Sequence, residues 1–180
     1  MAGRTYVFDP PDRFVAAAVG EPGSRTFFLQ AAKGRAVLTV AVEKVQVALL
    51  AERIGVFANE SAAPGRAASA DLFLATHPAT PALREPVVEA FRVGSMTLMF
   101  DEEGRHVTVE AQQAGDRGPV PDGDDDDLEV LRVRLPLDDA VRFAESALQV
   151  VAAGRPPCPL CGEPLDPQGH ICVRRNGYVM

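Results

Sequence analysis

From Asp12 to Val42 the chain is built of short apolar runs separated by turn residues. Asp12 to Gly20 is the first, closed by Glu21-Pro-Gly23; Arg25 to Ala32 is the second, closed by the tight turn Lys33-Gly34; Ala36 to Val42 is the third, apolar on both faces. Runs of this length with spacers this short predict an antiparallel meander. A short extended start precedes them and ends at the rigid turn Asp9-Pro-Pro-Asp12. The period then changes. Between Glu43 and Ile54 the apolar positions Val47, Leu50, Ala51 and Ile54 follow helical spacing, while Glu43, Lys44, Glu52 and Arg53 fall on other faces. A helix is expected there, with Gly55 as its stop.

Residues 56–90 are rich in Ala and Pro and weakly patterned, which predicts a long crossover with one short helical turn. The strand pattern resumes at Phe91 to Asp101, turns at Glu103-Gly104, and continues through Arg105 to Gln113 and Leu128 to Leu135. Pro136 to Ala153 then reads as a second helix, apolar at Val141, Ala144, Leu148 and Val151, with Asp138 and Asp139 suiting the positive end of its dipole. The expected fold class is α+β: an antiparallel sheet with two helices on one face. The order strand-strand-strand-helix occurs twice, at 12–55 and 91–153, so the halves read as a duplicated βββα unit. Arg25-x-Phe-x-Leu-Gln-Ala lines up with Arg105-x-Val-x-Val-Glu-Ala, and Phe14 and Phe91 each begin an upstream strand. Matches this short also arise by chance. The domain reading is an α+β domain at 1–153 and a small tail at 154–180.

With 180 residues the chain is long enough to bury a real core. The net charge of -7 argues against a surface that grips nucleic acid or an anionic membrane as a whole. Much of the excess sits in Asp122-Gly-Asp-Asp-Asp-Asp127 and Glu129, so the remainder is only weakly acidic. No apolar leader and no run of about 18 apolar residues is present. A soluble, cytoplasmic protein with no membrane partner is expected.

Candidate chemistry concentrates in the tail. Gly154-Arg-Pro-Pro157 stops the last helix, and Cys158-Pro-Leu-Cys161-Gly162 follows. Two residues between thiolates let both converge on one ion, and Pro and Gly favour the knuckle in which backbone N–H groups face sulfur. His170-Ile-Cys172 supplies two more donors on the same side of an extended segment, and Glu163 to Gly169 is turn-rich enough to reverse the chain. Cys158, Cys161, His170 and Cys172 would close a tetrahedral Zn2+ shell with no open position, which is a structural site. The His-x-Cys spacing is tighter than usual, and His77 or His106 are alternative fourth donors. A CxxC redox pair is the competing reading, but such pairs sit at a helix N-terminus, and nothing after Cys161 has helical spacing. The cysteines number three, an odd count that fits poorly with a secreted disulfide framework.

Elsewhere the signals are weaker. Asp101-Glu102-Glu103 lies at an expected hairpin turn, where acidic residues are common. The Asp122–Asp127 run lacks the ligand spacing of a calcium loop. Asp9, Asp12 and Arg13 flank the double proline and could line a site or simply hold the turn. His106 falls at a strand rim. Arg174 and Arg175 with Tyr178 beside the knuckle could hold single-stranded nucleic acid by charge and stacking. No phosphate-binding glycine loop, nucleophile elbow or HExxH helix occurs.

The blocks Phe8-Asp-Pro-Pro-Asp-Arg-Phe-Val, Val19-Gly-Glu-Pro-Gly-Ser-Arg-Thr-Phe-Phe-Leu-Gln-Ala, Phe91-Arg-Val-Gly-Ser-Met, Cys158-Pro-Leu-Cys-Gly and Gly169-His-Ile-Cys172 carry a resemblance over almost the whole chain. They resemble an uncharacterised actinobacterial family known as domain of unknown function 3090. The resemblance implies no activity. It implies genomic neighbours that are similar to a lipid kinase and a histidine phosphatase. The function expected is a protein-binding or adaptor module with a structural zinc site. The alternatives are an enzyme acting on a small phosphorylated metabolite, with a polar pocket near Asp9 to Arg13 or His106, and a single-stranded nucleic-acid binder.

Overall fold

The computed structural model describes residues 3–21, 23–60, 81–115, 127–153 and 160. In chain order its elements are β1 (Thr5–Phe8), β2 (Arg13–Val19), β3 (Thr26–Lys33), β4 (Ala36–Val42), α1 (Lys44–Glu60), β5 (Glu89–Asp101), β6 (His106–Gln113), β7 (Val130–Pro136) and α2 (Leu137–Ala152). The strands form one 7-stranded sheet in the order β1-β7-β6-β5-β4-β3-β2. The α+β class and the β2-β3-β4 meander hold. No described helix is long and apolar enough to cross a membrane.

The sheet is mixed, where an antiparallel one was expected. The β4/β5 and β1/β7 junctions are parallel and the other pairings are antiparallel. Return of the chain through α1 and the crossover makes β4 and β5 run the same way, as a crossover connection requires. The extended start becomes β1, an edge strand on β7, because Thr5 to Phe8 finds an open ladder at Val130 to Val133.

This order forces curvature. β1 and β2 occupy opposite edges, yet only Asp9 to Asp12 separates them in the chain. Six steps of about 4.8 Å would put the edges of a flat sheet about 29 Å apart. Five residue steps from Phe8 to Arg13 reach at most about 18 Å. The sheet therefore curls until its edges approach, and β1 contacts β3 while α2 packs on β2. Both helices line the inside of this curl and pack on each other.

The helix expected to stop at Gly55 runs on to Glu60. A mid-helix glycine costs only about 1 kcal/mol. The extra turn offsets this by packing Ala58 against the core and stacking Phe57 on Phe100 at a centroid distance of 5.4 Å.

The last two strands and the helix of each βββα unit correspond position by position. Arg25 and Arg105 each directly precede the central strand, and Phe27, Leu29 and Ala31 are buried like Val107, Val109 and Ala111. Cross-strand partners extend the match: Leu38, Val40 and Val42 hold the places of Leu131, Val133 and Leu135. Two residues later each helix begins, and Val47, Leu50, Ala51 and Ile54 correspond to Ala140, Phe143, Ala144 and Ala147, all buried. The Phe14–Phe91 match fails, because Ala31 faces Phe14 whereas Ala111 faces Met96.

The outer face of β3 and β4 is covered as well. Gln30, wholly buried, donates from its side-chain amide to Thr39 Oγ1 at 2.9 Å and to the Arg84 carbonyl at 3.1 Å, and accepts the Arg84 N–H at 2.8 Å. One amide side chain thus pins the crossover segment to the sheet and leaves no polar atom of its own unpaired.

Candidate functional site

Where the curled edges meet, the Asp9-Pro-Pro-Asp12 turn is held from both sides. Asp12 accepts the Gly34 N–H at 2.6 Å and donates its own N–H to the Ala32 carbonyl at 2.8 Å, fixing the turn to the β3–β4 hairpin. Lys33 Nζ donates to the Asp9 carbonyl at 2.6 Å. On the other side the Arg134 guanidinium of β7 lies 3.7 Å from the Asp9 carboxylate. The prolines remove backbone donors that the turn has no partner for.

A cleft of about 270 Å³ opens beside this turn, between Pro11 to Val15, Leu135 and the α2 residues Asp139, Arg142, Phe143 and Ser146. The cleft exists because β1 pairs with β7 only as far as Val133, leaving Leu135 facing the start of β2. Its walls include the stacked rings of Phe14 and Phe143, 4.4 Å apart with 22° between planes. Two guanidinium groups stand at its rim. Arg13 donates to the Ala82 carbonyl, and Arg142 pairs with Asp139 at 2.7 Å. Facing carboxylates and guanidiniums around an apolar wall suit a small molecule carrying an anionic group and hydroxyls.

A second polar group lies nearby on the outer face. Asp101 accepts the Gly104 N–H at 3.0 Å and sits 3.5 Å from Arg134, so Arg134 bridges Asp9 and Asp101. A Cβ at Gly104 would fall 2.5 Å from Asp101 Oδ2 and 3.1 Å from His106 Nδ1, so any larger residue there would push the Asp101 carboxylate aside. His106 Nδ1 is closed off from solvent and has no hydrogen-bond partner among the described residues. The Gly104 N–H, with Arg134 and His106 adding to it against opposing desolvation, holds the Asp101 carboxyl below the usual carboxylate range. A depressed folded value gives stability that is complete above the unfolded carboxyl's titration and is lost as pH falls through the folded value. Asp101→Asn should therefore be the less stable protein at neutral pH and flatten the acid limb of the stability curve below about pH 4, the two proteins converging as wild-type Asp101 is protonated. Urea titrations across that range measure it, and an unchanged acid limb would contradict it.

Of the residues singled out in the sequence, Asp9, Asp12 and Arg13 gather at the seam, and His106 lies beside Asp101, which Arg134 links to Asp9. Asp9 and Asp12 serve the turn itself, and Arg13 ties the crossover to β2. Arg134, Arg142 and Phe143 were not singled out. In β7, Arg132 and Arg134 alternate with the buried Leu131, Val133 and Leu135, and only the curl shows what the arginines meet. Cys158, Cys161, His170, Cys172, Arg174 and Arg175 lie outside the described residues, as do His77 and Tyr178. Among the described residues no three His, Cys, Asp or Glu side chains converge on a metal position.

One tie leads toward the tail. The Arg25 guanidinium donates to the Ala153 carbonyl just beyond the end of α2. A cation at this end suits the helix dipole and fixes the point from which residues 154–180 leave.

A family model described as "Protein of unknown function (DUF3090)" matches residues 6–172. No curated protein matches the chain.

Proposed function

The chain belongs to the DUF3090 family of proteins of unknown function, and we propose that it is a protein-binding or adaptor module with a structural zinc site in its tail. One observation carries the binding role. α1 is apolar on two faces: Val47, Leu50, Ala51 and Ile54 are buried, while Val45, Leu49 and Val56 are 60%, 55% and 43% exposed. Large aliphatic side chains aligned on an outward helix face are the chemistry of a docking surface. α2, by contrast, exposes one large aliphatic side chain, Leu148, and otherwise presents mostly polar residues on that side. The zinc site rests on the donors Cys158, Cys161, His170 and Cys172, whose spacing fills a tetrahedral shell.

Leu49→Asp tests the role. The site is exposed, so the melting temperature should stay within about 2 °C. Affinity for a bound protein should fall at least about tenfold, read by quantitative pull-down from the native host extract against wild type. Retention of the same proteins in the same amounts would sink the proposal.

A second reading draws on the seam cleft, which lies where a polar pocket was expected for an enzyme acting on a small phosphorylated metabolite. Arg13 and Arg142 at its rim favour an anionic ligand. Phosphate esters that raise the melting temperature of wild type and not of Arg142→Ala would favour this reading over the first.

A further inference from the structure

The seam cleft has a counterpart in the other half of the fold, and the two places differ by one side-chain bridge. β5 runs unbroken from a parallel pairing with β4 to an antiparallel pairing with β6. β1 and β2 do the same between β7 and β3, on either side of the Asp9 to Asp12 turn. The spacing also agrees. Glu89 faces Thr39 and Met96 faces Ala111, and the same separation runs from Val7, facing Arg132, to Phe14, facing Ala31. Pro11 and Asp12 therefore hold the places of Val93 and Gly94, and the helix register puts Asp139 at the place of Gln46.

Gln46 closes the contact between helix and bend in its half. It accepts the Glu43 N–H at 2.8 Å and donates to the carbonyls of Val93 and Gly94 at 3.4 and 3.3 Å. Neither end of this bridge can form at the seam. Pro136, the counterpart of Glu43, has no N–H, and the Asp139 carboxylate has no proton to donate. Asp139 pairs instead with Arg142, which stands where the other half has Leu49. One half is bridged; the other has the cleft.

The groups lining the cleft are balanced. Asp12 and Asp139 face Arg13 and Arg142 over the edges of the buried Phe14 and Phe143 rings. A ligand of net charge would be attracted by one pair and repelled by the other, whereas a zwitterion gains from both. Asp139 and Arg142 sit 2.7 Å apart, matching the neighbouring ammonium and carboxylate of an α-amino acid. An exposed ion pair within one helix contributes little, so a ligand can separate it at small cost. At about 270 Å³ the cleft lies below the roughly 300–1,000 Å³ of drug-sized sites, which suits one small molecule.

We propose that the seam cleft binds a free α-amino acid with an aromatic or branched apolar side chain. The ammonium lies between Asp12 and Asp139 and supplies the N–H donors that Gln46 supplies in the other half. The carboxylate meets Arg142 and Arg13, and the side chain covers the Phe14–Phe143 wall. This takes the cleft as a ligand site, as the enzyme reading does, and names a different ligand.

Isothermal titration of the full chain with L-phenylalanine and with L-leucine tests the proposal. Each should saturate one site with a Kd between about 10 μM and 1 mM. 3-Phenylpropanoate lacks the ammonium and 2-phenylethylamine the carboxylate, so each should bind at least about tenfold more weakly than L-phenylalanine. Arg142→Ala should lower affinity at least about tenfold. Asp139→Gln, which places at the seam the residue that bridges the other half, should do the same. The two side chains are 70% and 50% exposed, so both variants should melt within about 2 °C of wild type. No saturable binding of either amino acid up to about 10 mM would overturn the proposal. So would equal affinity for 3-phenylpropanoate, or an Asp139→Gln variant that binds like wild type. Phenyl phosphate bound more tightly than either amino acid, and lost in Arg142→Ala, would overturn the amino acid and support the phosphorylated-metabolite reading. Amino acids bound where phosphate esters are not would end that reading and leave this one standing.

Discussion

Replacing Phe143 with alanine should cost about 3–5 kcal/mol of stability, the range for truncating a buried phenylalanine. For a chain of this size that lowers the melting temperature by roughly 6–20 °C. Phe143 is 5% exposed and stacks on Phe14 across the contact between α2 and β2. That contact joins the last helix to the far edge of the sheet, so it holds the curl closed as well as filling space. The void left by truncation would open into the seam cleft and admit water, so the lost ring contacts could not be regained by collapse of the walls. Phe143→Leu should cost less, since it keeps much of the volume and loses mainly the ring stacking. Urea denaturation measures both, and a loss under about 1 kcal/mol for Phe143→Ala would show that the stack does not secure the edge.

The elements of this fold were legible because their signal is local. Alternation and turn residues gave the strands, and helical spacing gave Val47, Leu50, Ala51 and Ile54 as the buried side of α1. What escaped were the properties that depend on where distant segments meet. Thr5 to Phe8 has no pattern of its own that distinguishes an edge strand from an extended lead, and its pairing is set by β7. Gly55 was misplaced as a stop because the turn after it is stabilised by Phe100, a residue of β5. Gln30 sits mid-strand among apolar neighbours, where sequence gives no cue that its amide holds Arg84 across the crossover.

The candidate site divides in the same way. Asp9, Asp12 and Arg13 stood out because they flank two prolines, and the structure gathers them at the seam. Arg134, Arg142 and Phe143 reach the same place from β7 and α2 only because the sheet curls. A flat sheet with the same strand order could not be linked by so short a turn, so the Asp-Pro-Pro-Asp connection and the cleft have one cause.

The largest single effect is expected at the tail cysteines. Purified under reducing conditions from zinc-replete cells, the chain should carry about one Zn2+, and Cys158→Ser, Cys161→Ser or Cys172→Ser should each lower its zinc affinity by orders of magnitude. Structural zinc binds zinc-finger peptides with an apparent free energy of about 10–16 kcal/mol near pH 7, shared among four donors. Removing one thiolate forfeits a large share of it. The same logic separates tail from domain. Among the described residues the packed core draws on β1 to β7 and the two helices, and the four donors all follow α2 in the sequence, so chelation should leave the main melting transition within about 2 °C. The three thiols should resist modification with metal bound and react fully after chelation, because the thiolate held by zinc is withdrawn from attack. Each ligand must shed a proton, so zinc affinity should fall as pH drops through the imidazole and thiol range. His170→Ala carries the finest distinction: it should weaken zinc less than the cysteine variants, and unchanged affinity would move the fourth donor elsewhere. His106 is the alternative donor whose position in the fold is described, at the start of β6. A chain that binds no zinc, and instead forms a reversible disulfide between Cys158 and Cys161, would make the motif a redox pair and remove the structural metal.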